Sequence, residues 1–504
     1  MLRFTVYDKG VLAPDWPLDS AYLLGPDDIA IAGKVTFKGG QINCKVKASH
    51  SIGLCLPFDA DSMGRIMLQT CLLPERERPY NLSIELVRHS IKTFLAKSEE
   101  WQLFDLDSDH PAIQQWEKAR HLFAEALIID EQAELDKIAR KALKNAIKAN
   151  ESLALAHAEL LLHWKFASRA ASSTTLGVRI HTGRDSESLR EMVKKNFDIL
   201  FFPLRWNEIE VEEGRYNWDP IDRWVKWAQQ EEIPFVLGPL LDFSKDAIPQ
   251  WMYVWQHDYS TLRDLAYEHV ERIVHRYGSI VGMWNIAAGL NVNDNFQFTP
   301  EQMVDLTHMT SLIVRQAHKG ARTMIDLVQP FGEYTSRNKN SLSPLTYLDQ
   351  IIQEGVQLDC VGVQLLFGHS NIGFTTRNLM HLSSVLDRYM AVELPILVSA
   401  MGVPSEPVGD IGGWWHKPWS PQMQSRWVSR AFVIAMSKPN IDSVIWSDLY
   451  DHSGSYLPFG GLIDAAGRTK PALSRLVNMR KQLKKPLGKR KKSTKSIVSE
   501  ALDA

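Results

Sequence analysis

Between residues 175 and 446 the sequence alternates eight times between a short apolar run and a longer amphipathic stretch. The apolar runs are Leu176–His181, Ile199–Trp206, Phe235–Leu241, Val281–Ala287, Thr323–Val328, Cys360–Phe367, Ile396–Met401 and Ser443–Trp446. A strand followed by a helix, repeated in this way, predicts a (β/α)₈ TIM barrel. The alternative is an open doubly wound sheet, but the GxGxxG or phosphate-binding loop that usually follows its first strand is missing from this sequence.

The barrel is expected over residues 173–483, after two other regions. Residues 1–75 form short strand-like runs separated by Gly, Asp and Pro, which predicts a small β-rich, sandwich-like domain. Residues 76–172 predict a helical region. Its expected helices are Pro79–Phe104, Ala112–Ile128 and Glu131–Arg169. We expect the third to break near Ala149–Ser152 and form a helical hairpin.

Charge and cysteine usage argue against several classes of protein. The net charge of −2 gives no global field that would attract nucleic acid or a membrane. The four cysteines, Cys44, Cys55, Cys71 and Cys360, are scattered and form no CxxC motif, so neither a disulfide framework nor a thiolate metal site is predicted. We expect no cofactor. Without an apolar signal region or a run of ~18 apolar residues, the expected location is the cytoplasm, with no membrane partner.

The last residues, 484–504, form a strongly basic segment. Seven Lys and Arg face only Glu500 and Asp503, a local charge of +5. Such a run can bind nucleic acid or anionic lipid, and outside this tail nucleic acid is not expected as a partner. The favoured interpretation is a solvated, disordered basic tail.

Five segments of the barrel region carry distinctive motifs: LRWNEIEVEEGRYNWDPIDRWVKWA (204–228), YGSIVGMWNIAAG (277–289), LDCVGVQLLF (358–367), LPILVSAMG (394–402) and VIWSDLYD with GLIDAAGRTKPAL (444–451 and 461–473). Together these segments resemble glycoside hydrolase family 10, the retaining endo-β-1,4-xylanases. The resemblance covers roughly residues 175–485. It implies a TIM barrel that hydrolyses O-glycosyl bonds with two carboxyl groups.

The sequence departs from that family at the positions that matter for hydrolysis. The resemblance places Gly289 at the acid/base position of strand four and Ala400 at the nucleophile of strand seven. Neither residue has a titratable or nucleophilic group. Sugar-binding positions also differ, because the family's Glu, Asn, His and His are replaced here. Their replacements are Phe201, Phe202, Pro239 and Leu366. No catalytic residue is therefore assigned.

Polar and aromatic residues that remain near the strand ends are the candidate binding residues. For the barrel mouth they are Arg205, Asp242, Asn285, Asp326, Gln364, Trp446 and Asp448. In the loop before the last helix, Trp414, Trp415 and Trp419 form a candidate platform for stacking on sugar rings. Some carboxylates could also act as a relocated catalytic pair: Asp242, Asp326, Asp448 and Asp451. The competing interpretation is an internal ion-pair network in which Arg205 fills the emptied site.

Three functions remain open. The first is a catalytically degenerate barrel that binds a saccharide or serves as a scaffold. The second is an active xylanase-like hydrolase that uses relocated carboxylates. The third is a structural or regulatory protein in which residues 1–172 recruit protein partners. For the mouth itself we expect a pocket that is shallower and more apolar than a sugar-cleaving subsite. The sequence leaves open whether the mouth is an open groove or is plugged by Phe201, Phe202 and Leu366.

Overall fold

The computed structural model describes residues 1–8, 10–47, 50–167 and 175–483. The basic tail predicted at 484–504 lies outside these residues. The first part of the chain forms ten short strands. These are β1 (Leu2–Thr5), β2 (Tyr7–Asp8), β3 (Val11–Leu12), β4 (Tyr22–Leu24), β5 (Ala30–Ile31), β6 (Lys34–Lys38), β7 (Gln41–Lys45), β8 (Gly53–Asp59), β9 (Gly64–Gln69) and β10 (Tyr80–Asn81).

Two larger sheets and the β2-β3 hairpin build this β-rich unit. One has the order β10-β1-β7-β6, and the other contains β9-β8-β4-β5. Apolar residues of both sheets, among them Phe4, Leu54 and Phe58, belong to one buried cluster. The alternation of buried and exposed positions along the strands therefore produces a two-sheet packing. Pairing continues to Asn81, which is beyond the expected end of the β-rich region at residue 75.

Three helices follow: α1 (Leu82–Glu100), α2 (Pro111–Leu127) and α3 (Gln132–Ala167). The expected break near Ala149–Ser152 is wrong, because α3 is one continuous helix of 36 residues. Polar side chains in this stretch bond to other parts of the fold. Asn150 Nδ2 donates to the carbonyl of Ser90 at 3.0 Å, and Glu151 accepts from Trp415.

Eight parallel strands close into a barrel, which confirms the predicted fold class. They are β11 (Thr175–Arg179), β12 (Ile199–Phe202), β13 (Phe235–Leu237), β14 (Met283–Ala288), β15 (Arg322–Leu327), β16 (Cys360–Leu366), β17 (Ile396–Gly402) and, after the short strand β18 (Trp414–Trp415), β19 (Ile441–Trp446). Barrel closure is made by β11 pairing with β19, for example Gly177 with Ile445.

Helices separate the barrel strands and cover them. They are α4 (Glu187–Asn196), α5 (Trp206–Ile209), α6 (Asp219–Gln230), α7 (Tyr259–Tyr277), α8 (Pro300–Ala317), α9 (Pro344–Gln353), α10 (Leu379–Met390), α11 (Pro421–Ser437) and α12 (Pro471–Leu483). Several begin at side-chain caps, such as Ser186 on α4 and Asn378 on α10. Among the described residues, no helix is long and apolar enough to cross a membrane.

The barrel and the β-rich unit share a sheet. β18 comes from the loop between β17 and α11, yet it pairs with β9, with Trp414 opposite Arg65. The N–H of Met67 also donates to the carbonyl of Thr376 at 2.8 Å. A barrel loop thus extends the N-terminal sheet and holds the two parts together.

Candidate functional site

A cavity of about 610 Å³ opens at the carboxyl ends of the barrel strands. Its lining is mostly polar, and includes Arg179, Arg205, Asp242, Gln364 and Tyr456. The expectation that the pocket is more apolar than a sugar-cleaving subsite stays a prediction, although this lining has many polar groups. The family positions did become apolar, but polar groups from other positions line the space instead, and an open cavity of this size is within the range of small-molecule sites.

Beneath this cavity, Arg179 at the end of β11 forms a buried ion pair with Asp326 of β15. The Nη2 to Oδ2 distance is 2.8 Å, and the two side chains are 3% and 0% exposed. Arg179 Nε also donates to the carbonyl of Ser399 at 2.8 Å, and Gln364 Nε2 donates to the same Asp326 oxygen at 3.0 Å. The internal ion-pair network that was one of the sequence interpretations thus exists, but Arg179 rather than Arg205 pairs with Asp326.

Arg205, at the start of α5, also lines the mouth, next to Arg179. Its guanidinium stacks 4.4 Å from the centre of the Tyr456 ring, and Nη1 lies 3.4 Å from Glu208 Oε1. Asp242 faces the same cavity and accepts the N–H of Ser244 at 2.9 Å. Burial raises the pKa of Asp242, so its carboxyl group keeps its proton to a higher pH than a free aspartate does.

A second group of polar side chains borders Arg205. Asp448, 5% exposed, lies with Oδ1 at 3.4 Å from His452 Nε2. Because His452 Nδ1 accepts the N–H of Gly454 at 3.2 Å, the proton of the neutral ring is on Nε2 and points to Asp448. Burial raises the pKa of Asp448. The ring of His452 lies 4.3 Å from that of His181, which contacts Glu208 at 3.4 Å.

The remaining mouth candidates lie deeper or are already paired. Asn285 and Trp446 are 0% and 1% exposed, and Trp446 Nε1 donates to the carbonyl of Gly460 at 2.9 Å. Asp451 forms an ion pair with Lys470 at 2.6 Å. Of the four carboxylates considered as a relocated pair, Asp326 and Asp451 are therefore held by cations. Among the described residues, neither Asp242 nor Asp448 forms an ion pair with Arg or Lys, although Arg205 lowers the pKa of both against the larger effect of burial.

Gly289 and Ala400 occupy different surroundings. Gly289 lines the mouth cavity and has a φ angle of +65°, in the left-handed region. Ala400 is 1% exposed on β17. Gly289 has no side chain, and its left-handed backbone conformation also disfavours any residue that has one.

The four apolar replacements do not act alike. Phe201 belongs to a cluster inside the barrel, with Val236 and Ile445, and its ring lies 4.2 Å below the Arg179 guanidinium. Phe202 packs outward, 5.4 Å from the Phe235 ring, and does not line the mouth cavity, so of the two alternatives for this residue the structure excludes the plug. Pro239 and Leu366 line the cavity wall.

The prediction that three tryptophans form a platform for sugar rings is also wrong for two of them. Trp415 and Trp419 are 0% and 3% exposed. Trp415 Nε1 donates to Glu151 Oε1 at 2.7 Å, and Trp419 Nε1 donates to the carbonyl of Gly413 at 2.9 Å. Trp414 is half-buried and pairs through its backbone with the N-terminal sheet. These residues join the barrel to the β-rich unit, and the buried pair cannot stack on a sugar.

Sequence reasoning missed Arg179, Tyr456 and Asp294 as mouth residues. Arg179 ends the first barrel strand, so the rule that functional residues follow barrel strands was sufficient to find it. Asp294 lies in the loop after β14 and faces the cavity, where burial raises its pKa. Tyr456 lies in a loop whose path the sequence does not reveal.

The fold and the site together define a barrel of the glycosidase type. Residues 166–479 match the family model of glycosyl hydrolase family 10, so the chain belongs to this family. This match confirms the resemblance found in the sequence motifs.

Related proteins share the barrel at low identity. The chain is 22% identical over 264 residues to endo-1,4-beta-xylanase B of Thermotoga neapolitana, covering 52% of this chain and 72% of that protein. It is 22% identical to endo-1,4-beta-xylanase A of Xylanibacter ruminicola, covering 39% of this chain and 52% of the relative. The solved structure of xylanase 10B from Thermotoga petrophila RKU-1, in complex with xylobiose, is 15% identical, covers 66% of this chain and 97% of that one, and has a TM-score of 0.46.

Proposed function

We propose that the barrel binds a saccharide at its mouth without hydrolysing it. The observation that carries this proposal is the combination of an open polar cavity with Gly289 and Ala400 at the two positions that the family resemblance assigns to catalytic carboxyl groups. Retaining hydrolysis requires two carboxyl groups ~5–5.5 Å apart. Binding requires only hydrogen-bonding groups and space, and the cavity offers both.

The chemistry of the lining suits a ligand rich in hydroxyl groups. Arg205 provides donors, Asp242 is a carboxyl group held at the cavity wall, and Gln364 provides an amide. A hydroxyl group that leaves water without a partner costs roughly 1–3 kcal/mol, so a sugar site needs many directional partners. Tyr456 adds an aromatic ring whose position is fixed by Arg205. Because the matched relatives are named xylanases, xylo-oligosaccharides are the first ligands to test.

Calorimetric titration with xylo-oligosaccharides tests the proposal. We expect Arg205→Ala to weaken binding by about tenfold or more, since it removes a charged donor and releases Tyr456. Arg215→Ala is the matched control, because Arg215 lies in the same segment with its side chain 79% exposed. Equal affinities for the wild type, Arg205→Ala and Arg215→Ala proteins would place the ligand elsewhere.

A second candidate function is residual hydrolysis with relocated carboxyl groups. It is favoured by Asp242 and Asp294, which line the same cavity and have pKa values raised by burial. A raised pKa is what a general acid needs near neutral pH. If this function holds, reducing ends accumulate from xylan with the wild-type protein and stop accumulating with Asp242→Asn. The Arg215→Ala protein again serves as the control.

A further inference from the structure

A second cavity, of about 500 Å³, lies where the barrel meets the N-terminal unit. One face of α1, including His89 and Lys92, forms one wall. Helix α10 forms a second wall with His381 and Arg388. The β-rich unit closes the third side. Three separate parts of the chain thus enclose a space remote from the barrel mouth, and none of its residues lines the mouth cavity.

Some of the charges around this cavity are already paired. Arg377 is buried, lies within ion-pair distance of Glu333 and donates to the Tyr22 hydroxyl at 3.2 Å. At the far end, Lys97 bonds Glu100 at 2.7 Å, and Asp387 bonds Lys438 at 2.5 Å. These pairs hold the walls in place and leave little charge to offer a ligand.

Two cations that line the cavity differ from these paired charges. Within the described ranges, neither Lys92 nor Arg388 has a carboxylate within 4.0 Å, although both line the cavity. His381 lies on the same helix as Arg388, and its Nδ1 is buried without a hydrogen-bond partner in the described part of the chain. Burial, and after it the nearby groups Arg377, His89 and Arg388, lower the pKa of His381. Among the described residues, Arg388 on α10 and Lys92 on α1 thus provide two unpaired positive charges, and His381 provides an unused imidazole nitrogen.

The cavity also has acceptors, on the β-rich unit and on α1. Gln69 Nε2 lies 3.1 Å from Asp28 Oδ1 and 2.9 Å from His89 Nε2, so Gln69 links a carboxylate to an imidazole. Burial lowers the pKa of His89 to about 4, which makes this ring neutral under ordinary conditions. A carboxylate and a neutral imidazole are suitable partners for hydroxyl groups, whereas Asp28 repels an anion.

We propose that this interdomain cavity is a second ligand site that takes a small hydroxylated anion. The phosphate or carboxylate group of the ligand lies against Arg388, Lys92 and His381. Its hydroxyl groups lie against Asp28 and Gln69. A neutral sugar leaves the two cations without a partner, and a bare anion leaves the acceptor wall unused. The proposal does not depend on what the barrel mouth binds.

Titrations with glucose 6-phosphate, gluconate and glucose test the proposal on the full-length protein. We expect at least one of the two anions to bind about tenfold or more tightly than glucose, and the comparison of the two shows whether phosphate or carboxylate is the preferred group. Binding of glucose as tight as that of both anions, or no binding of either anion, would overturn the proposal.

Substitution then locates the site. Arg388→Gln should weaken anion binding about tenfold, and Arg388→Lys should restore part of it. Since Arg388 has no ion pair in the described structure, the substitution removes no fold contact of that kind. Arg468→Gln is the control, with a side chain 82% exposed outside both cavities. Unchanged anion affinity in Arg388→Gln would refute the assignment, and unchanged xylo-oligosaccharide affinity in the same variant is expected because the mouth is a separate site.

Discussion

Removing either partner of the Arg179–Asp326 ion pair should destabilise the barrel strongly. Both side chains are at least 97% buried, with 2.8 Å between Nη2 and Oδ2. Breaking a buried pair by removing one partner typically costs about 3–5 kcal/mol, because the other charge stays buried without compensation. Arg179→Met leaves Asp326 with only Gln364 as a donor. Asp326→Leu leaves Arg179 with its hydrogen bond to the carbonyl of Ser399 and its stacking on the Phe201 ring, but without a carboxylate.

The double variant should recover much of this loss. With both charges gone, no uncompensated ion remains, and a buried pair can often be replaced by apolar side chains at little cost. If the two single losses were additive, their sum would give the loss in the free energy of unfolding of Arg179→Met/Asp326→Leu. We expect the double variant to be more stable than this additive value predicts by about 2 kcal/mol or more. Urea unfolding followed by circular dichroism measures all four proteins. Additive losses would refute the conclusion that this pair acts as one unit beneath the mouth.

Three further predictions concern stability. Gly289→Ala should lower the free energy of unfolding by about 1 kcal/mol in a urea titration, because φ is +65° there. Glu151→Gln should lower it by about 1–3 kcal/mol in the same assay, since Glu151 accepts from Trp415 Nε1 at 2.7 Å and His416 Nε2 at 2.8 Å. Burial raises the pKa of Asp448, so its contribution to stability is complete below the unfolded value of ~3.9 and is lost as the pH rises through the folded pKa. Asp448→Asn should therefore gain stability relative to the wild type between pH 4 and pH 7, as thermal unfolding across this range measures.

The barrel could be predicted from the sequence because its signal is local and repeated. Each strand is a short apolar run, and the positions of β16 (Cys360–Leu366) and β17 (Ile396–Gly402) follow those runs closely. The helix α3 could not be predicted to continue through Asn150 and Glu151, because the partners that satisfy them, the carbonyl of Ser90 and Trp415, are distant in sequence. A polar pair inside a helix predicts a break only when no tertiary partner exists.

The resemblance to family motifs assigns Gly289 and Ala400 to the positions of the two carboxyl groups, and this assignment stays a prediction. The choice between Arg179 and Arg205 as the partner of Asp326 depends on which side chains point into the barrel, and both follow barrel strands. The burial of Trp415 and Trp419 depends on β18 joining a sheet more than 300 residues earlier in the chain, with Trp415 paired to Gly64. Composition alone gives no indication of that pairing.

The most direct measurement is the chain length of a xylo-oligosaccharide recovered after it has saturated the barrel mouth. The calorimetric titration first establishes that the ligand is bound, and chromatography of the same sample then measures its length. If the mouth binds without hydrolysis, the recovered ligand has its original length after prolonged incubation, and Asp242→Asn gives the same result. Shorter products from the wild-type protein that disappear in Asp242→Asn would contradict the proposed function and establish a relocated catalytic carboxyl group.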